Sequence, residues 1–279
     1  GPLIQCQLLE TPLLNIINFH TLISTKAARI VSVANDIPVL EFGLRRAQGI
    51  DGGLSASRAS YIGGCSATSN TLAGKTFGIP VKGTHSHSWV MAFENELDSF
   101  YALAKSMPNN VVFLVDTYKT LEGVKKAIEV GNWLKTQNKK LIGIRLDSGD
   151  LAYLSIEARK LLDKAGFNET IIIASNDLNE NIISSLIDQE AAISSWGVGT
   201  QLVTAFDEPA LGAVYKLSAI QNKEEQWQHS IKISEQSSKI STPGILQTRR
   251  FYNDKKSFFA DMIFDELTVR NELEQIIID

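Results

Sequence analysis

Cysteine is scarce. Cys6 and Cys65 are the only two in 279 residues, far apart and without metal-ligand spacing. That excludes a disulfide framework and leaves no zinc motif. A basic excess is missing too: 27 Lys and Arg stand against 31 Asp and Glu, for a net charge of −4 and a pI near 5.7. This argues against a sequence-independent nucleic-acid or membrane-surface binder, although local basic clusters can still hold phosphates. No apolar run approaches 18 residues, and no basic segment leads into an apolar one at the start. Neither a membrane span nor a signal peptide is therefore expected, and a reducing cytoplasm is the default location. The chain opens at GPLIQ without a methionine, the first being Met91, which suggests a piece or processed product of a longer protein.

What is present is a composition 44% hydrophobic, enough to bury a large core as one α/β barrel or two ordinary domains. Residues 9–34 read as a long helix, with Thr11 as N-cap, Pro12 in the first turn, and Lys26 and Arg29 near the C-terminal end. Residues 41–64 follow, with six glycines and three arginines; they suit close backbone approach to a ligand, or a flexible connection. From Ile79 on, apolar β-branched runs ending in polar residues alternate with amphipathic helices. The runs are IPVKGTHSHS, VVFLVDTY, LIGIRLDSGD, TIIIASND, AISSWGVGT and ALGAVYKL, and LEGVKKAIEVGNWLKTQ and LAYLSIEARKLLDKAGF are helices between them. This spacing is that of βα units and implies a parallel sheet covered on both faces, doubly wound or closed into a barrel. The barrel is favoured, because nearly every strand ends in polar groups that would converge on one mouth: Thr84, His85 and His87; Asp116 and Thr117; Arg145, Asp147 and Asp150; Ser175, Asn176 and Asp177; Gly199 and Thr200. After about Gln221 short strands and turns replace helical periodicity. The expected organisation is therefore a helical segment over 1–40, an α/β barrel over 41–220, and a strand-rich part of a second α/β domain over 221–279.

Three constellations carry chemistry. GTHSHSW, Gly83 to Trp89, sets histidines among hydroxyls at a strand end, where imidazole does proton or phosphoryl chemistry near neutral pH. Residues two apart on a strand share a face, so both His85 and His87 are candidates. In IRLDSGDL, Arg145 and Asp147 share a face: Arg145 suits a carboxylate or phosphate, and Asp147 a sugar hydroxyl or a water-bound magnesium. The plain alternative is an intra-strand pair followed by an Asp150 helix cap. In WGVGT, Trp196 to Thr200, strand-end glycines offer backbone N–H groups to an anion. No GKS or GKT follows, so this is not a Walker A loop.

Taken in order, EFGLRRAQGIDGGLSAS, GTHSHSW, GIRLDSGDL and GVGTQLVTAFDEPALGAVYKL resemble the nicotinate phosphoribosyltransferase family over essentially the whole chain, though that family's enzymes carry a further N-terminal segment. The resemblance implies an irregular TIM-like barrel packed on a second α/β domain, working as a homodimer with sites at the interface. It implies an enzyme joining nicotinate to phosphoribosyl pyrophosphate, coupled to ATP hydrolysis with Mg2+, in NAD salvage. By the same resemblance His87 is the residue that ATP phosphorylates, and Asp147 makes a ribose or magnesium contact. Thr84 and Arg145 meet nicotinate, and Phe42 and Arg45 supply pyridine stacking and charge. Gly199 and Thr200 cradle the 5′-phosphate with Ser175 and Asn176 nearby, while Lys232, Lys239 and Arg249 are candidates for a polyphosphate. The alternatives are a nicotinamide-using relative and a truncated, non-catalytic phosphosugar-binding barrel.

Overall fold

The computed structural model describes residues 1–267. These form two compact units, one of residues 11–212 and one of residues 1–10 with the chain from Ala213 onward. The division differs from the expected bounds of 40/41 and 220/221: the strand-rich part begins earlier and takes in the first ten residues.

The larger unit contains most of α1 (Leu3–Val33) and then β1 (Val39–Glu41), α2 (Gly49–Ile62), β2 (Ala67–Thr68), α3 (Thr71–Phe77), α4 (His87–Met91) and α5 (Glu96–Ser106). Regular βα units follow: β3 (Val111–Leu114), α6 (Thr120–Thr136), β4 (Leu141–Leu146), α7 (Leu151–Lys164), β5 (Ile171–Ala174), α8 (Glu180–Asp188), β6 (Ser195–Val198) and the short α9 (Thr200–Val203). Asn95, Asp150 and Asn179 cap α5, α7 and α8 by accepting the N–H of the residue three on. Every strand pairing in this unit is parallel, and the strand order is β2-β1-β6-β5-β4-β3. Read as a ring, that order is the chain order with one break, between β2 and β3. A doubly wound sheet would instead reverse its order at a switch point. Among the described residues the ring is not closed by strand pairing, so the architecture is a parallel half-barrel sheet with helices.

The strands are short and apolar because both faces are covered. Phe113, Ile144, Leu146, Ile172, Trp196 and Val198 are fully buried, together with Ile23, Ala27 and Ile30 of α1. Lys26 is buried as well, at 5% exposure, and its ammonium lies 2.7 Å from Glu180 and 2.8 Å from Asp207; Arg29 reaches the same two carboxylates. Lys26 and Arg29 thus sit in a four-charge cluster with α8 and the chain after α9, rather than serving the helix macrodipole.

Several expected boundaries move. The first helix begins at Leu3 and runs through Pro12, so Thr11 is not its N-cap. The carbonyl of Leu8, which Pro12 cannot serve, belongs to an exposed residue, and water can satisfy it. The glycine-rich stretch is mostly helix α2. IPVKGT does not form a strand: Val81 makes an isolated bridge to Thr68, and His87 opens α4. ALGAVYKL holds no strand either; β7 starts at Ala219.

In the smaller unit β7 (Ala219–Gln221) pairs antiparallel with β8 (Trp227–His229), and β9 (Leu246–Tyr252) with β10 (Phe258–Asp265). Lys232, Lys239 and Arg249 lie in this unit and are exposed. The last part of the expected domain, residues 268–279, lies outside the described residues.

Candidate functional site

The carboxyl ends of β1, β3 and β4 face a cavity of about 590 Å³ whose walls include Phe42, Arg45, Thr84, His85, His87, Arg145 and Asp147. A smaller one of about 150 Å³ shares Phe42, Arg45, Arg145 and Asp147 and adds Ser175, Asn176, Asp177, Gly199 and Thr200. Between them the two cavities bring together Phe42, Arg45, Thr84, His87, Arg145, Asp147, Ser175, Asn176, Gly199 and Thr200, whereas Lys232, Lys239 and Arg249 line neither.

Arg145 organises the centre. Its Nε donates to Ser175 Oγ at 2.8 Å, Nη1 to Thr84 Oγ1 at 2.9 Å, and Nη2 to Asp147 Oδ1 at 2.8 Å. Ser175 Oγ also donates to Asp147 Oδ1. A guanidinium has five N–H donors, so one remains on each terminal nitrogen for a ligand. Its carbon lies 5.4 Å from the centroid of the Phe42 ring, a cation–π contact that sets the aromatic beside the charge. Both plain readings of IRLDSGDL hold as well: the Arg145–Asp147 pair forms, and Asp150 caps α7.

Phe42 is held from below by a buried carboxylate. Glu41 accepts from the Gly43 N–H, from Ser57 Oγ at 2.9 Å and from Thr68 Oγ1 at 2.6 Å. This network binds the 42–45 loop to α2 and β2. Gly197 leaves room for the Phe42 ring, since a Cβ there would come within 2.7 Å of it. At the end of β5, Asn176 and Asp177 take positive φ values of 109° and 43°, which turns the chain sharply beside Gly199 and Thr200.

The two histidines of GTHSHSW differ in environment. His87, with 39% of its side chain exposed, has Nε2 3.1 Å from Oδ1 of Asp116, whose side chain is 0% exposed. The other Asp116 oxygen accepts the Asp147 N–H at 2.9 Å and Ser148 Oγ at 2.6 Å. One buried carboxylate therefore joins His87 to the Arg145–Asp147 cluster. The sequence flagged Asp116 as a strand-end polar residue but gave it no role; its partners lie 29, 31 and 32 positions away. His85 faces inward, and burial pushes its imidazole down from the usual 6.5 to about 4, with Arg145 and His87 nearby adding to the effect. The thiol of Cys65 is pushed up to about 12, again by burial, and is unreactive.

Among the described residues no three His, Cys, Asp or Glu side chains are grouped to hold a metal ion, and no helix is long and apolar enough to cross a membrane.

Polar and charged side chains thus gather at the carboxyl ends of parallel strands, with a basic group, a carboxylate and backbone N–H groups around adjoining cavities, the place where α/β proteins of this class carry their sites. The chain belongs to the nicotinate phosphoribosyltransferase (NAPRTase) family, whose model matches residues 38–262. It is 52% identical over 254 residues to the nicotinate phosphoribosyltransferase of Bacillus subtilis, covering 91% of this chain and 51% of that protein. It is 40% identical over 313 residues to that of Dictyostelium discoideum, covering 95% and 52%. The crystal structure of human nicotinic acid phosphoribosyltransferase superposes with a TM-score of 0.82 at 30% identity, covering 96% of this chain and 60% of the human one. A nicotinate-nucleotide pyrophosphorylase from Pyrococcus furiosus shares the fold, with a TM-score of 0.70 at 21% identity. The chain spans about half the length of the curated relatives it matches.

Proposed function

We propose that this chain carries the active-site mouth of a nicotinate phosphoribosyltransferase, a TIM-like barrel enzyme that makes nicotinate mononucleotide and pyrophosphate and couples this to ATP hydrolysis. The observation that carries the reading is Arg145: a partly buried guanidinium tied to Thr84, Ser175 and Asp147, beside the Phe42 ring, with one N–H free on each terminal nitrogen. That geometry suits an aromatic carboxylate, with the pyridine near Phe42 and the carboxylate on Arg145. Arg45 adds positive charge at the same wall. The phosphoribosyl group fits the smaller cavity, its 5′-phosphate against Gly199, Thr200, Asn176 and Ser175.

Displacing pyrophosphate from the ribose C1 passes through an oxocarbenium-like state. The protein's task is to align the pyridine nitrogen, hold the leaving group and stabilise charge, without a protein nucleophile. Asp147 suits a ribose hydroxyl. It also fits Mg2+ in the manner usual for that ion, as one carboxylate ligand with substrate phosphates supplying others; the metal would neutralise pyrophosphate charge. His87 is the coupling residue. With Nε2 held by Asp116, Nδ1 is the nitrogen left to take the γ-phosphoryl group of ATP: the P–O bond breaks as P–N forms, and water later cleaves P–N to release phosphate. The added charge acts on Asp116, and through it on the Asp147 backbone N–H, tying the phosphorylation state to the substrate cluster. In this reading the complete protein is a cytoplasmic homodimer.

The test is direct. The full-length protein, given nicotinate, phosphoribosyl pyrophosphate, ATP and Mg2+, is expected to form nicotinate mononucleotide, and nicotinamide is expected to compete poorly. Equal use of nicotinamide would point to the amide-using reading; binding of phosphoribosyl pyrophosphate without turnover would point to a non-catalytic one.

A further inference from the structure

The two edges of the half-barrel are bridged by residues 80–86, and the bridge is built differently at each side. Against β2 it uses backbone: the Thr68 N–H donates to the Pro80 carbonyl and the Lys82 N–H to the Thr68 carbonyl, both at 3.0 Å. Against β3 it uses a side chain, the Leu114 N–H donating to Nε2 of His85 at 2.9 Å. Leu114 is 1% exposed, so water does not serve that amide, and an unpaired buried N–H is costly. The tautomer follows. Nε2 receives a donor and so carries the lone pair; the proton sits on Nδ1, 3.3 Å from the Ser86 carbonyl. From the core side the ring meets Phe100 at 6.2 Å between centroids, and Phe100 stacks on Phe113 at 4.5 Å.

His85 lies between two groups of the site. Thr84 accepts from Arg145, and His87 bonds Asp116. We propose that His85 is a positioning residue: its neutral imidazole stands in for a strand partner of β3, pins the 80–87 segment across the seam, and so fixes where Thr84 and His87 enter the mouth. This rests on the phosphoribosyltransferase reading of the cavity. An imidazolium cannot accept a hydrogen bond, so the pin holds only while His85 is neutral. The charged and titratable groups facing it are Arg145 on β4 and His87 on α4, and a positive charge on either opposes protonation of the pin.

The experiment compares full-length wild type with His85→Leu, which keeps bulk without an acceptor, and His85→Gln, whose amide oxygen reaches the place of Nε2. In His85→Leu the Leu114 amide is expected to lose roughly tenfold to a hundredfold of its hydrogen-exchange protection, the range for one lost buried hydrogen bond. The imidazole 15N resonances of His87 should shift, and phosphorylation of His87 by ATP should slow by a similar factor. His85→Gln should restore all three. If His85→Leu fails to fold, His85→Asn, too short to reach Leu114, takes its place. Retained Leu114 protection, or lost protection with unchanged His87 resonances, overturns the proposal. If wild type itself takes no phosphoryl group, the phosphoribosyltransferase reading fails, while the exchange and 15N measurements still decide whether His85 is the pin.

Discussion

Arg145 gives three of its five N–H groups to the protein and keeps two for a ligand. Arg145→Lys is expected to lose most of the preference for nicotinate over nicotinamide, about tenfold to a hundredfold, because an ammonium cannot hold Thr84, Ser175 and Asp147 and also face a carboxylate. Competition binding reads this directly. Gly197→Ala sets a methyl against the Phe42 ring; it should cost about 1–3 kcal/mol in thermal unfolding and weaken nicotinate binding. Acid should act through His85. Its folded pKa of about 4 lies below the unfolded 6.5, so between these values the unfolded chain binds more protons, and stability falls as the pH drops through that window. His85→Gln should flatten this part of the stability–pH curve. At this scale the sequence was most readable where strand parity applies: Arg145 on β4 and Asp147 just past its end do lie together. For His85 and His87 parity did not apply, because their segment is not a strand and α4 begins at His87, yet both line the larger cavity as the sequence allowed. Asp116 was half legible, since a strand-end carboxylate shows in VVFLVDTY but its partners come from other units of the fold.

Among the elements, α1 is fastened to α8 and the chain after α9 by charges. Lys26→Met should destabilise by about 3 kcal/mol, the low end for breaking a buried ion pair, because Arg29 still faces Glu180 and Asp207. The Lys26 ammonium also holds the Asp207 carboxyl below the usual carboxylate range, with a smaller contribution from Arg29, a shift that Lys26→Met should reduce. Chemical denaturation and NMR titration check the two effects. The units from β3 to β6 were legible because each buried strand is a continuous apolar run between amphipathic helices. β1 and β2 were not, being three and two residues long in a polar, glycine-rich region. That region folds as α2 because Gly53, Ala56, Ser57, Ala59 and Ser60 pack a small-residue face into the core. IPVKGT has strand composition, yet the segment meets the β3 backbone through the imidazole of the following His85 rather than through its own backbone, so a single bridge, Val81 to Thr68, forms in place of a strand.

For the whole molecule, the ring-like strand order was readable in outline from the repeat of βα units, whereas the break between β2 and β3 was not, since it depends on which edges meet. The claim that organises the site is that His87, bonded to buried Asp116 at the mouth of this sheet, carries a transient phosphoryl group. The most direct measurement exposes the full-length protein to ATP labelled in its γ-phosphate and follows acid-labile label on the chain. The account predicts label in wild type and in His85→Gln, none in His87→Ala, and peptide mapping to His87 Nδ1. Undiminished label in His87→Ala, or label mapped to another residue in wild type, would contradict it.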